Sequence, residues 1–133
     1  MELEKLKSLF LDFENAISSL EEALSYDATD INIDGTIQRF EFTFELAWKL
    51  LHAVASYQGK EEEARNPRNA IRYGAYVELI DKPETWFNFL DARNSTTHLY
   101  NKAASREVYK QIKDFPAFAK KLTIEVKKVF AAV

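Results

Sequence analysis

The sequence has no cysteine, two histidines, and only three glycines and three prolines. The absence of cysteine excludes disulfides, thiolate metal sites and a cysteine nucleophile, and it agrees with a reducing cytoplasm. Because glycine and proline punctuate regular structure, their scarcity predicts few breaks and long elements. No run approaches the roughly 18 apolar residues that cross a bilayer, and the first residues lack the pattern of a signal peptide. We therefore expect a cytoplasmic protein without a membrane partner.

Size and charge narrow the class further. The chain has 133 residues, of which 47% are hydrophobic and 14% aromatic, so we expect one domain over residues 1–133 with a substantial core. The formal net charge is −3. Overall electrostatics therefore give no attraction to nucleic acid, and any RNA binding must depend on a local basic patch.

Apolar residues recur at steps of three and four, which is typical of amphipathic helices. The pattern predicts helices over about Leu3–Leu24, Gly35–Tyr57, 67–80, from Pro83 onward, and from a cap at Ser105 to the end of the chain. Asp34 or Thr36 would cap the second helix and Gly59 would end it, and a kink or break is expected at Pro116. These features predict an all-α protein, an antiparallel up-and-down bundle of four to five helices.

The predicted second helix is apolar on several sides, which is usual for a central helix or a subunit interface. It also carries a polar line at helical spacing, formed by Gln38, Glu41, Glu45, Lys49 and His52. One interpretation is a solvated strip with an ordinary Glu45–Lys49 pair. The other is a polar seam that faces a partner or a site.

Several kinds of chemistry lack the residues they need. The two histidines, His52 and His98, are far apart in sequence and no H-E-x-x-H pattern exists, so a metal site is a poor fit. The glycines are isolated, which excludes both common nucleotide-phosphate loops. We expect neither a metal nor a cofactor.

The remaining candidate site is the segment 93–100, RNSTTHLY. The arginine fork matches a phosphate, and a histidine, with an ordinary pKa near 6.5, can transfer protons near neutrality. Arg93 and His98 could together cleave RNA without a metal and leave a 2′,3′-cyclic phosphate. The alternative is a surface ion-pair arginine and a polar histidine at a helix end.

The geometry of this segment depends on where its helix ends. In a regular helix, Arg93 and Tyr100 differ by about 20° around the axis and Thr97 shares their stripe, which would place the Tyr100 hydroxyl near Arg93. His98 would lie about 140° from Arg93. The two therefore converge only if the helix bends or if a dimer completes the site.

Arg65, Arg68 and Arg72 form a second candidate, a basic cluster near the start of the third helix. Free backbone N–H groups at a helix start would favour phosphate at the same place. The alternative is a solvated loop that balances the acidic residues 61–63.

The sequence resembles the HEPN superfamily, specifically the nucleotidyltransferase substrate-binding-protein family. The resemblance covers about residues 34–100 and is carried by DGTIQRFEFTFELAWKLL (34–51), Asn66-Pro67-Arg68, Trp86 and RNSTTHLY (93–100). It implies a helical homodimer that pairs with a minimal nucleotidyltransferase encoded beside it.

The resemblance also implies roles for the residues of the motif. Arg93 and His98 would be the catalytic residues of a metal-independent endoribonuclease toxin, with the site formed by two protomers at the dimer cleft. Asn94 would be a polar helper, and Tyr100 would be adenylylated by the partner. Family members often carry an acidic residue soon after this tyrosine, whereas Asn101 and Lys102 follow here. A non-catalytic subunit that binds RNA or a nucleotide for the nucleotidyltransferase, or an inert dimeric scaffold, would share the same residues.

Overall fold

The computed structural model describes residues 2–132, which form six α-helices and no strand. The helices are α1 (Glu2–Leu24), α2 (Asp30–Tyr57), α3 (Pro67–Tyr76), α4 (Pro83–Ser95), α5 (Lys102–Ile112) and α6 (Phe115–Ala131). Two short 3₁₀ turns, Glu61–Ala64 and Thr96–His98, follow α2 and α4. The predicted all-helical bundle is confirmed, with one helix more than expected. No helix within residues 2–132 is both long and apolar enough to span a membrane.

Helix α2 is the central element. It packs against α1 along most of its length and also contacts α3, α4 and α5. Its predicted apolar stripe is buried throughout: Ile37, Phe40, Phe44, Ala47, Leu51 and Val54. The several-sided apolar character therefore reflects a helix surrounded by neighbours, as expected.

The start of α2 differs from the prediction. The helix begins at Asp30, and the Thr29 hydroxyl caps it by accepting a bond from the Asn32 amide at 3.2 Å. Thr36, a predicted cap, lies inside the helix and donates to the Asn32 carbonyl oxygen at 2.7 Å. The polar stretch before the predicted start thus contains the first turn of the helix, because Ile33 in that stretch is buried in the core.

Helix α3 is shorter than predicted. It ends at Tyr76, and Glu78 takes the left-handed conformation with φ 64°. The amides of Leu79 and Ile80 then donate back to the Gly74 carbonyl at 2.8 and 3.1 Å. This turn buries both side chains, which is why the apolar pattern continues beyond the helix. A Cβ on Gly74 would lie 3.0 Å from Leu51 and Ile80 atoms, so the glycine permits close packing.

The predicted last helix is two helices. Asn101, rather than Ser105, caps the first of them and accepts from the Ala104 amide at 2.8 Å. The helix is interrupted before Pro116, which lies in the first turn of α6. The predicted break is confirmed, since a proline in a first helical turn loses no internal bond.

An aromatic cluster positions α4, the helix that leads into the candidate motif. The Phe115 ring is fully buried and lies 4.9–6.0 Å from the rings of Phe40, Phe44, Trp86 and Phe89. Because these rings come from α2, α4 and α6, one cluster sets the distance between α4 and the central helix.

Candidate functional site

The candidate motif lies where α4 ends, and its own hydroxyl groups end the helix. Ser95, Thr96 and Thr97 donate to the carbonyl oxygens of Ala92, Arg93 and Asn94 at 2.8, 2.7 and 3.2 Å. Each bond spans three residues and competes with the regular helical pattern. The backbone accordingly tightens into the 3₁₀ turn Thr96–His98 and then leaves the helix.

Arg93 begins on the inner side of α4. It follows the buried Trp86 and Leu90 at helical spacing and is itself half-buried. Its Nε is buried and has no hydrogen-bond partner within residues 2–132. An unsatisfied buried donor costs about 1–3 kcal/mol and is rare in native structures. The guanidinium is therefore an incompletely satisfied group at the end of α4.

His98 and Tyr100 lie on the solvent side of the same turn. His98 is exposed and Tyr100 is 83% exposed. The Tyr100 hydroxyl lies 3.3 Å from His98 Nδ1, so the structure brings these two side chains together. Asn94 is exposed and contributes its carbonyl oxygen to the Thr97 bond.

The expected stripe of Arg93, Thr97 and Tyr100 is not formed. Because α4 ends at Ser95, neither Thr97 nor Tyr100 continues its surface, and the Tyr100 hydroxyl contacts His98 instead of Arg93. The same termination changes the predicted 140° separation of Arg93 and His98. The two side chains leave the chain from different elements, one helical and half-buried, the other in an exposed turn.

Glu41 connects the central helix to the motif. Its Oε2 accepts from the Thr96 hydroxyl at 3.2 Å, and within residues 2–132 no other helix supplies a side-chain hydrogen bond to the motif. The polar line of α2 therefore faces the candidate site at Glu41, whereas Glu45 and Lys49 form the ordinary pair at 3.6 Å. The sequence pattern indicates the polar line but not that Glu41 belongs to the site, because it does not specify how α2 and α4 cross.

Asp30 anchors the segment that follows Tyr100. Its two carboxylate oxygens each lie 2.9 Å from a cation of α5, Lys102 Nζ and Arg106 Nη2. Bonds from Lys102 and then Arg106 hold the pKa of the Asp30 carboxyl below its usual range. Lys102, one of the two residues that follow Tyr100 in place of the expected acidic residue, thus joins α5 to the start of α2. No local sequence signal marks Asp30, because its partners are more than 70 residues away along the chain.

The Asp30 ion pairs predict a specific dependence of stability on pH. A carboxyl with a lowered pKa in the folded state stabilises the fold above its unfolded pKa, near 3.9, and loses that contribution as the pH falls through the folded value. Asp30→Asn should therefore be less stable than the unmodified chain at neutral pH and nearly equal to it near pH 2. Urea unfolding at both pH values measures the difference. Asp34→Asn, one turn along α2, is the control. If Asp30→Asn lowered the free energy of unfolding by the same amount at both pH values, the assignment would be contradicted.

The basic cluster is exposed, and each of its members has a local partner. Arg65 pairs with Glu62 at 3.6 Å, Arg72 donates to Asn69 at 3.3 Å, and the Arg68 guanidinium lies 5.2 Å from the Phe87 ring. Phe87 and Arg93 differ by about 120° around α4. The structure therefore places this cluster on a different side of α4 from Arg93.

Comparison with known proteins agrees with this architecture. Residues 8–128 match the family model described as nucleotidyltransferase substrate binding protein like. A probable ribonuclease HepT from Haemophilus influenzae is 28% identical over an aligned length of 131 residues, and the match covers 86% of this chain and 84% of that protein.

Two solved structures share the fold. A protein from Thermus thermophilus has a TM-score of 0.75 and 30% identity, and the match covers 83% of this chain and 94% of that one. A Haemophilus influenzae protein, described as revealing the fold of a substrate binding domain of a nucleotidyltransferase, has a TM-score of 0.68 and 26% identity. That match covers 94% of this chain and 98% of the other.

Proposed function

The chain belongs to the nucleotidyltransferase substrate-binding-protein-like family, and on this basis we propose that it is the HEPN subunit of a two-component system with a minimal nucleotidyltransferase. Its proposed activity is that of a metal-independent endoribonuclease toxin. The supporting observation is that His98 is exposed in the turn that follows α4, while Arg93, near the end of α4, has a buried Nε without a hydrogen-bond partner within residues 2–132. Incubation of the purified chain with RNA and EDTA tests the activity. Cleavage that requires an added metal ion would refute it.

The proposed reaction is an internal transfer within RNA. The 2′-oxygen forms a bond to the neighbouring phosphorus while the bond from phosphorus to the 5′-oxygen breaks, which leaves a 2′,3′-cyclic phosphate and a 5′-hydroxyl. One proton leaves the 2′-hydroxyl and another reaches the 5′-oxygen, and His98 transfers one of them. The Arg93 guanidinium would stabilise the charge on the phosphorane-like transition state. This division of roles needs no water molecule as reactant.

We propose further that the active form is a homodimer. Ile31 and Phe42 are 83% and 57% exposed, and their 11-residue spacing places them on one face of α2. They lie about 16 Å apart along the helix axis, so a partner helix laid along this face would cover both. A two-fold dimer would also bring His98 of one protomer towards Arg93 of the other.

Light scattering tests the interface with a matched pair of variants. Phe42→Asp should convert a dimer into a monomer, because a carboxylate would be buried without a partner. Leu11→Asp is the control, since Leu11 on α1 is 58% exposed and lies outside the proposed interface. A monomeric mass for the unmodified chain, or equal effects of the two substitutions, would contradict the proposal.

The same interface predicts complementation. If Arg93 and His98 of different protomers share a site, mixing Arg93→Ala with His98→Ala should restore activity in one of the two sites of each mixed dimer. With random exchange, about a quarter of the original activity should return. Mixtures that stay inactive would mean that both residues act within one protomer.

Tyr100 is the proposed site of regulation by the nucleotidyltransferase. Its hydroxyl is accessible and lies against His98. In the proposed step, the Tyr100 oxygen attacks the α-phosphorus of ATP, its proton is lost, and pyrophosphate leaves. A nucleotide attached there would cover His98, and its phosphate would offer a charged acceptor to nearby cations. Modification would therefore silence the ribonuclease.

Intact mass spectrometry tests this assignment. Incubation with the neighbouring nucleotidyltransferase and ATP should add one or more adenylate masses to the unmodified chain and none to Tyr100→Phe. Tyr76→Phe should be modified normally, because Tyr76 is equally exposed, at 83%, but lies on α3. A mass gain that persists in Tyr100→Phe would assign the modification to another residue.

A second candidate function is a binding subunit without catalysis. It is favoured by the similarity to a structure described as the substrate binding domain fold of a nucleotidyltransferase. Here the chain would hold RNA or a nucleotide for its partner enzyme. The test is made at protein concentrations at which the chain is a dimer. If the chain then binds RNA but does not cleave it in the absence of metal, this function is favoured over the first.

A further inference from the structure

A groove of about 480 Å³ lies beside the second half of α2, away from the motif. Its walls come from the first turns of α1, from α2, and from the 3₁₀ turn that follows α2. The volume is within the range of small-molecule sites. Trp48 and His52, which line it, lie seven and eleven residues beyond Glu41, or about 10–16 Å along the helix axis.

The inner wall of the groove is aromatic and apolar. The Trp48 and His52 rings lie 6.4 Å apart, and Leu9 and Ala53 complete the surface. The Trp48 indole N–H is buried and has no acceptor within residues 2–132. Because this nitrogen is enclosed, a ligand in the groove meets the partly exposed ring of Trp48 and not its N–H group.

His52 is held in one orientation. Its Nδ1 lies 2.8 Å from the Ala64 carbonyl oxygen, which can only accept, so the neutral ring carries its proton on Nδ1 and leaves Nε2 as an acceptor. Nε2 lies 3.7 Å from a Glu61 carboxylate oxygen. When the ring is neutral, Nε2 and the carboxylate are two adjacent acceptors suited to the amino group of a nucleobase, whereas a protonated ring pairs with Glu61 instead.

The rim carries two lysines and two carboxylates, the latter from Glu2 and Glu61. Lys5 and Lys49 both line the groove. Lys49 also forms an ion pair with Glu45, with 3.6 Å between Nζ and a carboxylate oxygen. Lys5 belongs to no ion pair within residues 2–132 and can reach an anion at the edge. An aromatic wall, paired acceptors and a free ammonium group match the three parts of a nucleotide: base, amino edge and phosphate.

We propose that this groove is a nucleotide-binding site, distinct from the Arg93–His98 motif. The ligand is an amino-bearing nucleotide, either free or as one residue of an RNA strand that follows the polar side of α2. Base contacts with aromatic side chains contribute strongly to such binding and tolerate different sequences. The proposal does not depend on ribonuclease activity.

Tryptophan fluorescence provides a direct test with the unmodified chain. Of the two tryptophans, Trp86 is 2% exposed in the core, so a ligand in the groove should change the emission of Trp48. AMP should quench this emission saturably, and Trp48→Phe should lose the response. Hexaadenylate in place of AMP distinguishes a strand from a free nucleotide: quenching by the oligomer alone assigns the site to RNA.

A matched pair of lysine variants tests the phosphate contact. Lys5→Gln should weaken AMP binding about two- to fivefold, the range for an exposed charge pair, and should leave adenosine binding unchanged. Lys7→Gln should have no effect, because Lys7 is exposed on the same helix but does not line the groove. Equal affinities of the two variants for AMP would overturn the assignment of the phosphate to Lys5.

Nuclear magnetic resonance gives a second measurement that needs no substitution in the groove. The two histidines are distinguished by comparison with His98→Ala, and AMP should shift the ring signals of His52. If neither AMP nor hexaadenylate at millimolar concentration changes the Trp48 emission or the His52 signals, the site does not exist. Because binding should persist in an Arg93→Ala, His98→Ala chain, this outcome is independent of the proposed ribonuclease.

Discussion

His98→Ala should reduce metal-independent RNA cleavage by roughly 100- to 10,000-fold, the usual loss when a general acid or base is removed. The substitution should leave the fold intact, because His98 is exposed and its side chain hydrogen-bonds, within residues 2–132, only to the Tyr100 hydroxyl at 3.3 Å. Cleavage is measured with labelled RNA in EDTA, and a thermal melt of the same sample verifies folding. The cyclic phosphate at the product end identifies the reaction.

Two further variants make the result specific. Arg93→Lys should also be poorly active, because a point charge cannot reproduce the two-pronged contact of a guanidinium with a phosphate. Tyr76→Ala should retain full activity, since Tyr76 is exposed on α3 and remote from the motif. Cleavage that survives in purified His98→Ala would identify a contaminating nuclease or a different catalytic group.

Phe115→Ala should destabilise the fold by about 3–5 kcal/mol, the cost of deleting a fully buried aromatic ring. Phe115 is completely buried and packs against four other rings from α2 and α4. Its removal would leave a cavity that rigid helices cannot close. For a chain of this size, the melting temperature should fall by roughly 10–20 °C. Urea unfolding gives the free energy directly.

Phe118→Ala is the matched control for this experiment. Phe118 lies one turn further along α6, is only partly buried, and contacts the Phe89 ring at 5.5 Å. Its loss should cost clearly less than that of Phe115. If the two substitutions had equal effects, the aromatic cluster would not be the element that holds α4 against α2.

Local sequence signals proved reliable where the nearest residues decide the structure. The helical periodicity of the first segment and the break at Pro116 both agree with the structure. Each depends on interactions within about one helical turn. The boundaries that failed have tertiary causes: α2 starts early because Ile33 is buried, and α3 stops early because Leu79 and Ile80 turn back onto Gly74.

The sequence by itself determined the helical class, the family resemblance and the identity of the motif residues, because periodicity and residue type are local properties. Only the tertiary structure decided how the motif is arranged. A helix that continued to Tyr100 would have aligned it with Arg93. Instead, α4 ends where the hydroxyls of Ser95, Thr96 and Thr97 bond to backbone carbonyls and where Thr96 also bonds to Glu41 of α2, and Tyr100 meets His98.

The contacts that hold this turn come from residues 55 and more positions away along the chain, Glu41 on one side and Asp30 on the other. A periodic pattern specifies which face of a helix is polar but not which neighbour that face meets. Packing of buried side chains decides the neighbour, since the large aromatic rings around Phe115 fix how α4 crosses α2. The same packing creates the groove beside Trp48 and His52, whose walls come from three separate segments.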